Sequence, residues 1–198
     1  LPVVSEEDPD SLQQMRPEMY WLIDPIDGTR SLVEGFPGWV VQAALILRGE
    51  PQLAAVYAPD LNQLFTSRRG GGSWCNGVPL HVDRSIGGRT VLIDNYPQPK
   101  GVAAEAMASI PCSGYLECGS IALKICRVAD GTADLFIKDV VVRDWDVAAP
   151  MLVLSEAEGQ FGLPNGETYV LEGGFEKSGL IAARSAHLFG RAAAFMMQ

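Results

Sequence analysis

The stretch Trp21-Leu-Ile-Asp-Pro-Ile-Asp-Gly-Thr29 constrains this chain more than any other. The apolar run Met19-Tyr-Trp-Leu-Ile23, rich in aromatic and β-branched residues, reads as a strand. It feeds directly into Asp24 and Asp27, and two carboxylates at the edge of a core are costly without a neutralising partner. Pro25 fixes φ and removes an N–H, and Gly28 permits backbone conformations that other residues resist. Asp24–Thr29 therefore reads as a rigid turn able to aim both carboxylates one way, with the Ile26 carbonyl between them. Carboxylate and carbonyl oxygens suit hard cations such as Mg²⁺ or Mn²⁺ rather than zinc. The competing reading is a surface turn that caps a helix.

Composition narrows the function classes. The 198 residues, 47% apolar, suffice for one large domain or two small lobes. The longest apolar run, Trp39–Leu47, is interrupted by Gln42 and falls short of the roughly 18 residues a bilayer crossing needs. The start, Leu1-Pro-Val-Val-Ser, lacks the basic region of a signal peptide. Cys75, Cys112, Cys118 and Cys126 form no C-x-x-C pair, and with two histidines a zinc site is disfavoured. Reduced cysteines point to the cytoplasm. A formal charge of −9 repels a phosphate-rich polymer, which argues against nucleic-acid binding.

The spacing predicts an antiparallel meander followed by an α/β lobe. Strands are expected at 19–23, 40–47, 52–57 and 64–67, with a turn at 48–51 and a hairpin at Asn76-Gly77. Strands at 90–93, 133–137 and 178–182 then alternate with helices at 101–109, 119–129, 147–158 and from 186 onward. Residues 5–18 read as a polar loop. The domains implied are a sheet lobe, 1–88, carrying the aspartate turn, and a smaller α/β lobe, 89–198. The abrupt opening predicts that a further segment precedes Leu1.

Two other stretches carry acidic groups. Ser5-Glu-Glu-Asp8 is either a solvated loop or a source of ligands. In Arg143-Asp-Trp-Asp-Val-Ala-Ala-Pro150, Asp146 sits at the start of an apolar helix, where it is an N-cap or a ligand.

Together, S-E-E, W-L-I-D-P-I-D-G-T and W-D-x-A-A resemble the inositol monophosphatase superfamily of lithium-sensitive phosphatases in order and approximate spacing, over essentially the whole chain. The resemblance implies a layered α-β-α-β-α fold, like that of inositol monophosphatase and fructose-1,6-bisphosphatase. It implies metal ligation by Glu6, Asp24, the Ile26 carbonyl, Asp27 and Asp146 around two or three Mg²⁺ ions. It assigns Glu6, Asp27 and Thr29 to catalysis, with Thr29 positioning the attacking water. The family's usual partner of that threonine, an upstream aspartate, has no counterpart in this sequence.

Gly28 and Thr29 would hold phosphate oxygens through backbone N–H groups. Ser5-Glu-Glu-Asp8, Gly119-Ser-Ile-Ala-Leu-Lys124 and the ending at Pro150 resemble the 3'(2'),5'-bisphosphate nucleotidase branch. That branch removes the 3'-phosphate from 3'-phosphoadenosine 5'-phosphate. Arg30 would meet the second phosphate. Gly119, Ser120, Lys124 and Asp146 would lie near the nucleotide, although Ser120 also reads as a helix cap and Lys124 as a solvated charge. Phe36-Pro37 and Trp74-Cys-Asn-Gly77 resemble the inositol branch instead, so inositol-1-monophosphatase is the alternative. A non-catalytic phosphate- or metal-binding protein is the third reading. The expected partner is a small phosphorylated substrate, with no nucleic-acid polymer and no membrane; the superfamily often forms homodimers.

Overall fold

The computed structural model of the protein describes residues 1–82 and 90–198. The expected boundary between 1–88 and 89–198 falls beside residues 83–89, outside the described residues.

Strict alternation builds the first sheet. Strands β1 (Val3–Ser5), β2 (Met19–Asp27), β3 (Val40–Leu47), β4 (Glu50–Ala58), β5 (Gln63–Arg68), β6 (Gly72–Cys75) and β7 (Val78–Pro79) lie side by side in chain order. Tyr20, Leu22 and Asp24 of β2 and Val40, Gln42, Ala44 and Ile46 of β3 all point to the buried face. All neighbours are antiparallel except β1, which pairs in parallel with β2. Asn76 and Gly77, both at positive φ, make the tight hairpin between β6 and β7.

The second sheet runs β11 (Gln160–Gly162), β12 (Glu176–Ala183), β10 (Leu135–Arg143), β8 (Thr90–Asp94) and β9 (Cys112–Glu117). Strands β8, β9 and β10 are mutually parallel, whereas β12 is antiparallel to β10 and β11. Alternation again sorts its faces: Leu135 and Ile137 join one core cluster, Phe136 the other.

Helices α4 (Ile121–Ala129) and α5 (Asp144–Glu156) pack against strands of both sheets. Helices α3 (Val102–Ser109) and α6 (Ala186–Met196) cover the far face of the second sheet. Two short helices, α1 (Pro9–Leu12) and α2 (Thr29–Glu34), flank the ends of β1 and β2. The mixed α/β class is as expected. The outer face of the first sheet is open: Val3, Val41, Leu53, Tyr57 and Leu64 are exposed there.

Several expectations need correction. Residues 5–18 are not all loop, because Val3–Ser5 adds to the edge of β2 and Pro9–Leu12 forms a helical turn capped by Asp8. The chain therefore does not enter the aspartate turn without a packed element before it. The short strands β9 and β11 lie at sheet edges with half-buried side chains, so they lack the apolar alternation that marks a strand. Helix α5 begins at Asp144, before the expected 147. It stops at Glu156, with Glu158 rather than Gly159 taking the left-handed conformation. Gly159 is instead needed for space, since a Cβ there would lie 2.2 Å from Leu154 Cδ1.

Candidate metal centre

The aspartate segment is a bulge rather than a free turn. Asp24 pairs with Gln42 and Asp27 with Val40, so β2 carries one residue more than β3 between the two pairs. Asp24 Oδ1 accepts the Ile26 N–H at 2.9 Å. The bulge brings both carboxylates to one side, and Gly28, at φ 87°, turns the chain into α2. A Cβ on Gly28 would lie 3.0 Å from that of Ser120, so glycine is required here for conformation and for space.

Asp146 comes from the third position of α5, where its Oδ2 accepts the Arg143 N–H at 2.8 Å. It is therefore not the N-cap itself; Arg143 is. Ligand atoms of Asp24, Asp27 and Asp146 all lie within 4.8 Å of one another. Such crowding in a buried place disfavours the charged forms. Burial pushes the Asp24 carboxyl up to about 8, with further upward pushes from Asp27, Asp146 and Glu6. Burial and Asp27 push Asp146 up to about 7. Burial also raises Asp27, but the Ala122 N–H, Lys124, the Ser120 hydroxyl and the Ile121 N–H act in the opposite direction.

A cation fits this arrangement on its donor set and on one orphaned atom. Among the described residues, Asp24 Oδ2 is buried without a hydrogen-bond partner, as is Oε1 of the neighbouring Gln42. A buried carboxylate oxygen left so exposed to its like is costly unless a cation completes it. The oxygens present suit a hard divalent ion.

The remaining expected residues are distributed around this cluster. Parallel pairing sets Ser5 opposite Ile23, which delivers Glu6 to the end of β2 beside Asp24. Its carboxylate stands outside the three-aspartate cluster, 4.0 Å from Arg143 Nη1, yet raises Asp24 and Asp146. The Ile26 carbonyl accepts from the Thr29 hydroxyl at 3.4 Å, and Thr29 is exposed at the first position of α2. Arg30 is exposed, paired with Glu34 at 2.8 Å, with its guanidinium 5.9 Å from the Tyr96 ring; Lys100 lies 4.7 Å from the same ring.

Two expected substrate contacts are turned inward instead. Ser120 is buried as the N-cap of α4, accepting the Leu123 N–H at 3.0 Å, and it favours the charged form of Asp27. Lys124 is 1% exposed, and its Nζ donates to the Gly119 carbonyl. A side chain so enclosed is not a solvated helix charge and does not face a substrate. Gly119 itself presses on Gly38, where a Cβ would meet the Gly38 oxygen at 2.4 Å.

Sequence reasoning missed Gln42 and Arg143 as neighbours of the cluster. Gln42 Nε2 donates to the Asp146 carbonyl at 3.4 Å. A lone polar residue on the buried face of an apolar strand was the available signal. Arg143 gave none.

The profile of the inositol monophosphatase family matches residues 1–196. Nus factor SuhB of Pasteurella multocida is 34% identical over 165 residues, which cover 79% of this chain and 61% of that protein. An inositol monophosphatase of Mesembryanthemum crystallinum is 31% identical, with the same 79% and 61% coverage. The chain thus spans about three-fifths of the length of these relatives. Among solved structures, the extragenic suppressor protein SuhB of Bartonella henselae superposes with a TM-score of 0.81 at 26% identity, over 99% of this chain and 75% of that one.

Proposed function

This chain belongs to the inositol monophosphatase family, and on that premise we propose that it is a divalent-metal-dependent phosphate-monoester hydrolase. The carrying observation is the convergence of Asp24, Asp27 and Asp146 from two distant stretches, with a buried Asp24 oxygen that no group among the described residues satisfies. Glu6, Asp24, the Ile26 carbonyl, Asp27 and Asp146 are the residues proposed to hold two or three Mg²⁺ or Mn²⁺ ions. When bound, such ions neutralise phosphate charge and make water nucleophilic at neutral pH.

The chain's own residues do the rest. The α4 N-terminus and the β2 bulge fix the angle between Asp27 and Asp24. The proposed phosphate contacts are the backbone N–H groups of Gly28 and Thr29, which open α2, and the exposed Thr29 hydroxyl is proposed to orient the attacking water. Orientation and electrostatics are the main contributions a protein can make to phosphoryl transfer.

For the substrate we favour 3'-phosphoadenosine 5'-phosphate. Arg30, Tyr96 and Lys100 together offer cationic and aromatic surface near the metal turn, suited to a second phosphate and a base. The plant relative named an inositol monophosphatase favours inositol 1-phosphate as the second reading. We place the reaction in the cytoplasm on the four free thiols; among the described residues no helix is long and apolar enough to cross a membrane. Phosphate release from each substrate, in Mg²⁺ with and without Li⁺, tests the proposal. Turnover of the nucleotide with lithium inhibition is expected. Turnover of inositol 1-phosphate alone would establish the second reading, and Mg²⁺-dependent nucleotide binding without turnover would establish a binding protein.

A further inference from the structure

Lys124 is among the largest fully buried side chains of the protein, and nothing in the chemistry above uses it. A buried ammonium is expensive to take out of water. Its retention therefore asks for a reason beyond stability. Its Nζ donates to the Gly119 carbonyl at 2.5 Å and lies 5.2 Å from the Phe136 ring. Burial lowers its pKa to about 8, while Cys118, Asp94 and Asp27 push it up and Lys138 pushes it down.

The contact lies at one end of a continuous chain of bonds. Gly119 is wedged against Gly38, and the Ser120 N–H donates to the Gly38 carbonyl at 2.8 Å. From that anchored turn, the Ser120 hydroxyl caps α4 by accepting the Leu123 N–H at 3.0 Å, and the Ala122 N–H donates to Asp27 Oδ2 at 2.8 Å. Among the described residues, the hydrogen bond to the Asp27 carboxylate thus comes from the first turn of the helix that Lys124 clamps.

We propose that Lys124 is a positioning residue for the metal centre: its ammonium holds the Gly119 carbonyl, and through it the first turn of α4, which Ser120 caps and from which the Ala122 N–H keeps Asp27 in a cation-ligating pose. This rests on the metal-dependent reading above. Groups that orient metal ligands in this way typically change affinity by about 10–100-fold when removed.

The test is calorimetric titration of the whole chain with Mn²⁺ for wild type, Lys124→Met, Ser120→Ala and the double variant, with thermal melts in EDTA alongside. Lys124→Met is expected to weaken Mn²⁺ affinity by about tenfold or more while the metal-free protein still melts cooperatively in EDTA. Its effect combines less than additively with that of Ser120→Ala, because both act through the first turn of α4. Should Lys124→Met fail to fold, Lys124→Gln carries the same expectation. Wild-type affinity in the folded lysine variant, or full additivity with Ser120→Ala, overturns the proposal while leaving the metal site standing. Absence of Mn²⁺ binding by wild type would instead remove the metal reading, and this inference with it.

Discussion

The Ala122 N–H donates to Asp27 Oδ2 at 2.8 Å across 95 residues of sequence. This one bond fastens the strand that carries two acidic residues to the helix lodged between the sheets. A change on either element is therefore felt at the cluster.

Removing charge from the cluster separates function from folding. Asp27→Asn is expected to lower phosphate release by more than about 100-fold, beyond the range seen for groups that only support a ligand. The metal-free melting temperature should hold or rise, because the folded state disfavours that charge. Rates within a few-fold of wild type would refute the assignment.

Metal-free protein should lose stability as pH rises. Asp24 and Asp146 have folded pKa values of about 8 and about 7, above the ordinary 3.8. Between the unfolded and folded values the native state holds more protons, so its advantage is greatest below about pH 4 for these groups and is lost toward pH 8. Melting in EDTA should fall from pH 5 to pH 8, and Mg²⁺ should flatten or reverse the trend. An equal slope with and without Mg²⁺ would contradict cation binding at these carboxylates.

Arg16 bonds Asp144, stacks 4.0 Å over Phe175 and reaches the Leu171 carbonyl, while the Tyr169 hydroxyl donates to the other Asp144 oxygen. Asp144 is fully buried at the start of α5. Arg16→Met strands that carboxylate and should cost roughly 2–3 kcal/mol, below the full range for a broken buried pair because Tyr169 remains. Denaturant unfolding measures it; a loss under about 0.5 kcal/mol, the level of an ordinary surface change, would show the pair to be idle.

Arg30→Ala should raise the KM for 3'-phosphoadenosine 5'-phosphate several-fold and leave kcat nearly unchanged, since an exposed cation helps hold a remote phosphate without touching the reacting one. Equal KM values would take Arg30 out of the site.

The sequence made the centre legible where local chemistry was rigid. Pro25 and Gly28 leave the Asp24–Asp27 segment few shapes, and the buried helix start is the natural place for Asp146. Strand β1 was hidden because three residues at a sheet edge carry almost no periodicity, and its value lies in delivering Glu6. Lys124 was hidden for a different reason. Helical spacing told that α4 had a buried side, but not that the second sheet would close over the other side as well. The inward turn of Ser120 was half visible, because a serine before an apolar helix is a ready cap.

The open side of the first sheet has a practical corollary. Val41, Tyr57 and Leu64 sit in register across three strands, with Trp21, Leu45 and Leu53 two rows away across Ile23, Ala43, Ala55 and Thr66. Wetting so broad an oily strip is unfavourable. Concentrated solutions of this chain alone should turn sticky, with sedimentation coefficients that climb on concentration and fall back in mild detergent.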